Sequence, residues 1–225
     1  MKITFYAHAC FRLEDEHLSV ITDPYTPGPE GSRFDPVNEP ADIVIMSSAT
    51  DSFHSNPNHI SGEPTIVDAM TIPPEGLTVT GLHILSFNTM ESLSHDYGRD
   101  PDANAMYLFE LGGVRVLHMG DVGNAIDDKY LHALRGKVDV LFALTGGQPT
   151  IALDDLDAAI NGIEPRVVIP MHYYSPRGVL KILSVTDFTD RYPKAQVTCV
   201  GGPELTLTPE TLPERLHIYV LEQSR

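Results

Sequence analysis

Apolar and polar residues alternate over Lys2 to Phe5, Cys10 to Leu13, Leu18 to Thr22 and Ile43 to Met46, with Gly, Pro and Asp clustered between the runs. A period of two bounded by turn residues predicts short, half-buried strands that follow one another directly. "TIVDA", "LTVTGLHIL", "AMYLFEL" and "VRVLHMG" continue the pattern, each read as one strand, and "LGG" between the last two predicts a hairpin turn. After Asp121 the period changes. "DDKYLHALRG" and "ALDDLDAAINGIEP" open on acidic residues and carry apolar positions at helical spacing, whereas "VDVLFAL" and "RVVIP" are continuous apolar runs. "SVTDFTDRYP" predicts a last helix, and "QVTCV", "LTL" and "LHIYVLE" predict closing strands. Strands followed by a β-α-β-α passage place the chain in the α/β or α+β class, with sheets covered by helices.

A length of 225 residues with 42% hydrophobic content suits one domain over 1–225 with room for a large core. No apolar run approaches the roughly 18 to 20 residues that span a bilayer. The segment "MKITFYAHACFRLEDE" reaches charge too soon for a secretory leader, so a cytoplasmic protein is expected. In that compartment Cys10 and Cys199 are expected to be reduced, each a small buried apolar residue. Lys and Arg total 15 against 31 for Asp and Glu, a formal charge of -16. Such a surface repels phosphate backbones, which excludes nucleic acid and leaves small molecules as partners, with self-association left open.

Polar residues at strand ends are where layered folds carry chemistry. Five places stand out: "HAC" at His8, "ATDSFH" ending at His54, "HMGD" ending at Asp121, "IPMHY" holding His172, and "SHD" at His95. Imidazole and carboxylate dispersed over strand ends can converge on a metal ion, or can close loops by hydrogen bonding. Competing chemistries lack their motifs. There is no G-x-S-x-G elbow, no G-x-G-x-x-G, and "TGGQPT" lacks the lysine of a P-loop.

The order "MKITFYAHACFRLE", "VITDPY", "ADIVIMSS", "GVRVLHMGDVGN", "VDVLFALTGG" and "VVIPMHYYSP" resembles the metallo-β-lactamase superfamily, and more narrowly its predicted metal-dependent hydrolases related to ascorbate-phosphate lactonases. The resemblance runs from Met1 to about Pro176. It implies a four-layer αββα sandwich with the site at one edge between two sheets, where one or two zinc, iron or manganese ions activate water against an ester, lactone or phosphoester.

The superfamily's H-x-H-x-D-H motif, set with its last histidine on His54, reads Ala49, Asp51, Phe53 and His54 here. Only His54 is unchanged, Asp51 offers oxygen, and Ala49 and Phe53 offer nothing. Asp121 matches the bridging aspartate and His172 the last histidine. The remaining histidine position falls on Ser86, Phe87 and Asn88, with His95 as its substitute if the following segment folds back. His8 matches a histidine near the site, and its role is read as strand-end packing or substrate contact. Asp23 and His118 match residues that brace the ligand loops.

Two functions follow. In the first, one divalent ion, zinc foremost with iron or manganese as alternatives, sits on His54, Asp121 and His172, and Asp51 aids water or metal in a hydrolase. In the second, the chain carries no metal and binds a small ligand or partner without hydrolysis. A nuclease is disfavoured by the acidic charge.

Overall fold

The computed structural model describes residues 1–51, 53–91 and 104–225. The strands are β1 (Lys2–Ala7), β2 (Cys10–Glu14), β3 (Ser19–Thr22), β4 (Ile43–Met46), β5 (Thr65–Asp68), β6 (Leu77–Val79) and β7 (Leu82–Thr89). They continue as β8 (Asn104–Leu111), β9 (Val114–His118), β10 (Val140–Leu144), β11 (Val167–Met171), β12 (Val197–Cys199), β13 (Glu204–Thr206) and β14 (His217–Val220). The helices are α1 (Asp128–Leu134), α2 (Leu153–Ile163) and α3 (Val185–Thr189). One sheet has the order β13-β1-β2-β3-β4-β5 and the other β12-β14-β11-β10-β9-β8-β7-β6. Both sheets are mixed: β3, β4 and β5 run parallel in the first, and β9, β10, β11, β14 and β12 in the second.

Pleat alternation explains how the first sheet is covered. Ile3, Phe5, Phe11, Leu13, Val20, Ile43 and Ile45 enter the core shared with the second sheet. Tyr6, Cys10, Ile21, Val44 and Met46 belong to a smaller cluster with Tyr25, Phe34, Val37 and Ile60, so the segments after β3 and β4 cover the outer face. The continuous runs of β10 and β11 are buried at every position, as parallel central strands require. Helix α2 buries Leu156, Ala159, Ile160 and Ile163, spaced at i, i+3, i+4 and i+7, and places Asp154 and Asp155 in its first turn, where the helix dipole favours them.

The β8–β9 hairpin turns at Gly112 and Gly113, both at positive φ, as "LGG" predicts. Two expectations need correction. "LTVTGLHIL" is not one strand but the hairpin β6–β7, folded at Thr80 (φ 50°) and Gly81 (φ 83°); alternation continues across a two-residue turn and so hides it. Cys10 is buried, but Cys199 lies exposed on β12, the edge strand of its sheet; both thiols are free. Among the described residues, no helix is long and apolar enough to cross a membrane.

Candidate metal centre

Parallel neighbours end at the same level, so the segments leaving β3, β4, β9 and β11 emerge together along one edge of the two sheets. Asp23 follows β3, His54 lies beyond β4, Asp121 beyond β9 and His172 directly after β11. The β1–β2 turn joins them with His8. His8 (φ 58°), Asp23 (φ 38°) and His172 (φ 51°) all sit in the left-handed region that non-glycine residues rarely occupy. Such strain persists only where the surroundings over-determine it. Here backbone ties supply it: the His172 N–H donates to His8 O at 2.8 Å and the Asp23 N–H to Ile45 O at 2.8 Å.

The loop holding His54 is built by short-range polar bonds. Asp51 Oδ1 accepts the Phe53 N–H at 2.8 Å, the His54 N–H donates to Asp51 O at 3.1 Å, and the Asn56 N–H donates to Pro24 O at 2.7 Å. His54 is fully buried. Its Nδ1–H donates to Asp23 Oδ2 at 3.0 Å, which turns Nε2 toward the site. Asp23 is itself held by the Ser47 N–H (2.7 Å), the Ser47 hydroxyl (2.8 Å) and the Tyr107 hydroxyl (3.3 Å). Burial works against charge on Asp23, but His118, His54 and the Ser47 donors outweigh it and hold its carboxyl below the usual range.

His118 is no ligand. Its Nε2–H donates to Ala9 O at 2.9 Å and its Nδ1 accepts the Gly120 N–H at 3.0 Å, so both ring nitrogens are committed. Burial lowers its pKa accordingly. It ties the β1–β2 turn to the segment that carries Asp121. Asn104 ties that segment again: its Oδ1 accepts the Asp121 N–H at 2.7 Å.

His54, Asp121 and His172 converge. Asp121 Oδ1 lies 3.4 Å from His172 Nε2 and 3.7 Å from His54 Nε2. Two ligands each 2.0–2.1 Å from a tetrahedral zinc stand about 3.3 Å apart, so the Asp121–His172 separation is that of a ligand pair and the Asp121–His54 separation is slightly longer. His54 Nε2, Asp121 Oδ1, His172 Nδ1 and His8 Nε2 are all buried without a hydrogen-bond partner. Buried polar atoms are otherwise almost always satisfied, and four orphans on ligand-type side chains in one neighbourhood fit a cation. Two triads keep their ligand atoms within 4.8 Å of one another: Asp51 with His54 and Asp121, and His8 with His54 and His172.

The first triad brings in Asp51 as the sequence suggests. The second brings in His8, which sequence reading left as packing or substrate contact; a histidine at a strand end beside a tight turn was the available signal. His95 lies outside the described residues. Ser86 is on β7 with its hydroxyl donating to Ala69 O at 2.6 Å. His59 is in a short 3-10 turn, where Nδ1 accepts the Val37 N–H and Nε2 lies 2.8 Å from Tyr25 O. A cleft of about 170 Å³ opens onto the cluster, lined by Asp51, Phe53, Glu91, Asp121, Pro149, Thr150, His172 and Leu180.

Electrostatics separates the three imidazoles. Burial and the neighbouring rings push His8 well below its usual pKa, and burial lowers His172 despite Asp121. Burial also opposes the proton on His54, yet Asp121, Asp23 and Asp51 overcome it and raise its pKa to about 10. A group raised this way stabilises the fold fully below its unfolded value near 6.5, and that stability is lost as pH rises toward 10. His8 and His172 act in the opposite sense and only below about pH 6.5, and the buried Cys10 thiol, pushed up by burial, adds its own loss only above about pH 8, so the window between isolates His54. Protein stripped with a chelator is expected to lose up to about 1.4 kcal/mol of stability per pH unit between pH 7 and 8. Denaturant titrations check this; a His54→Gln variant with an equally steep slope would show that another group is responsible.

Gly120 (φ 61°) is needed for the turn that presents Asp121. A Cβ there would meet Asn104 Oδ1 at 2.4 Å and Ser47 Cβ at 2.5 Å. Gly120→Ala is expected to cost about 1–3 kcal/mol from strain and to weaken metal binding, as read by thermal melting and metal titration.

The profile of the β-lactamase superfamily domain matches residues 2–172. The chain is 26% identical over 195 residues to a UPF0173 metal-dependent hydrolase of Methanosarcina mazei, covering 77% of this chain and 83% of that protein. It is 29% identical over 197 residues to a UPF0173 protein of Pyrococcus furiosus, with the same coverage. Among solved structures it is similar to a Thermotoga maritima protein described as a candidate Zn-dependent hydrolase of the metallo-β-lactamase superfamily, with 28% identity, 99% of both chains covered and a TM-score of 0.76.

Proposed function

The chain belongs to the β-lactamase superfamily, and from that premise we propose that it is a metal-dependent hydrolase holding one divalent ion on His54, Asp121 and His172 and acting on a small ester, lactone or phosphoester. The observation that carries the reading is the buried, unpartnered Asp121 Oδ1, which stands 3.4 Å from His172 Nε2 and 3.7 Å from the equally buried and unpartnered His54 Nε2. The names of the Methanosarcina mazei and Thermotoga maritima relatives support the same class. When bound, the ion supplies acidification of a water and stabilisation of negative charge developing on the substrate oxygen.

The chain's own residues divide the remaining work. Asp23 fixes the His54 tautomer, so that Nε2 presents a lone pair. Asp51 sits among the ligand atoms with a carboxylate able to take a proton from the attacking water or to join the ligand set. Phe53, Pro149 and Leu180 give the cleft apolar walls, while Thr150 and Glu91 add polar contacts. A cleft of about 170 Å³ suits a small substrate.

The resemblance to the ascorbate-phosphate lactonases read from the sequence guides the choice of substrates. Full-length protein purified without a polyhistidine tag and loaded with zinc, manganese or iron(II) is expected to bind one ion and to turn over at least one of a panel of aryl esters, lactones and phosphodiesters. Protein that takes up no metal would overturn the reading. It would favour a small-ligand-binding protein instead, a role that Phe53 in place of a ligand aspartate supports.

A further inference from the structure

We propose that His8 is a direct ligand of the metal ion, so that three imidazoles, His8, His54 and His172, share it. This rests on the metal-dependent reading above and adds a residue from outside the superfamily motif. Three observations carry it. His8, His54 and His172 each offer a ring nitrogen within 4.8 Å of the other two. The ring centroid of His8 stands 4.1 Å from that of His172 and 4.9 Å from that of His54. His8 Nε2 is buried with no hydrogen-bond partner, in a residue only 5% exposed.

Three imidazoles this close, with a lone ring nitrogen on each buried and unpaired, repel one another when protonated and waste their lone pairs when neutral. A shared cation removes both costs. The backbone supports the arrangement, because the His172 N–H donates to His8 O at 2.8 Å and both residues adopt left-handed φ, which locks the two ligand loops to each other. Phe53 supplies the steric reason. Its ring lies 5.7 Å from the His8 ring and lines the cleft where the motif would place a ligand carboxylate. With Ala49 and Phe53 unable to ligate, His8 approaches from the β1–β2 turn and restores a nitrogen to the ligand set.

The test is X-ray absorption spectroscopy of the full chain loaded with one equivalent of zinc or manganese, which counts imidazoles on the ion, alongside metal-affinity titration. The wild-type protein is expected to show three imidazoles and His8→Asn two. Asparagine tolerates the left-handed backbone, so the variant keeps its turn, and a thermal melt of the metal-free protein checks that it does. Its metal affinity is expected to fall by more than the roughly 10- to 100-fold that loss of an outer hydrogen-bond partner brings. Two imidazoles in the wild type would overturn the role of His8 and leave the proposed hydrolase intact. A wild type that binds no metal would overturn both.

Discussion

Replacing Asp121 with asparagine is expected to abolish stoichiometric metal binding and to lower kcat/KM on any substrate found by at least about 1,000-fold. The carboxylate is the only anionic group within 4 Å of both His54 Nε2 and His172 Nε2 among the described residues. An ion polarising a reacting oxygen supplies several kcal/mol, and each 1.4 kcal/mol is about a factor of ten in rate. Asparagine keeps the shape and the bond from its own N–H to Asn104, so the turn survives and the loss reports on charge. His172→Ala is expected to lose metal to a similar degree, because it removes one nitrogen of the same set. Elemental analysis after dialysis and steady-state kinetics measure both effects. A variant that retains one tightly held ion would show that the ion sits elsewhere.

Asp23→Ala is expected to cost about 3–5 kcal/mol of stability in the metal-free protein, enough to lower Tm by about 10 °C. Asp23 and His54 are fully buried, and removing the carboxylate leaves His54, Ser47 and Tyr107 without their shared acceptor. Asp23→Asn separates stability from function. The amide preserves volume and part of the hydrogen bonding, but an N–H group facing His54 Nδ1 favours the tautomer whose Nε2 carries the proton and cannot ligate. Stability is then expected to fall less than in the alanine variant, while metal affinity falls about 10- to 100-fold. Thermal melts and metal titrations on the two variants check this. Equal metal affinity in Asp23→Asn and wild type would mean that the brace does not set the tautomer.

Much of this arrangement is legible before any folding is considered. Alternation over Lys2–Phe5 and Cys10–Leu13, continuous apolar runs in "VDVLFAL" and "RVVIP", and the i, i+3, i+4, i+7 spacing in α2 each reflect one local period against one apolar face. They map onto β1, β2, β10, β11 and α2. Strand ends alone offered five places, and it was the resemblance to the superfamily's ligand motif that singled out His54, Asp121 and His172; the structure sets each beyond a strand of a parallel set, β4, β9 or β11. The split of "LTVTGLHIL" into β6 and β7 was not legible, because a two-residue turn leaves the alternation unbroken and Thr80 is an unusual residue at positive φ. Cys199 was misread because three-residue β12 is an edge strand, where alternation does not imply burial.

The sequence by itself determined the succession of strands and helices and the acidic charge, because these depend on local periodicity and composition, and its resemblance to a known ligand motif pointed to His54, Asp121 and His172. Only the tertiary structure decided that His8 lies beside His54 and His172, that His118 is fully committed to Ala9 and Gly120, and that Asp23 is hydrogen-bonded to His54. Those facts depend on hydrogen-bond directions and separations between segments tens to more than a hundred residues apart, brought together where two sheets meet. Residue type says which atoms can ligate an ion; packing says which of them are left with nothing else to bind.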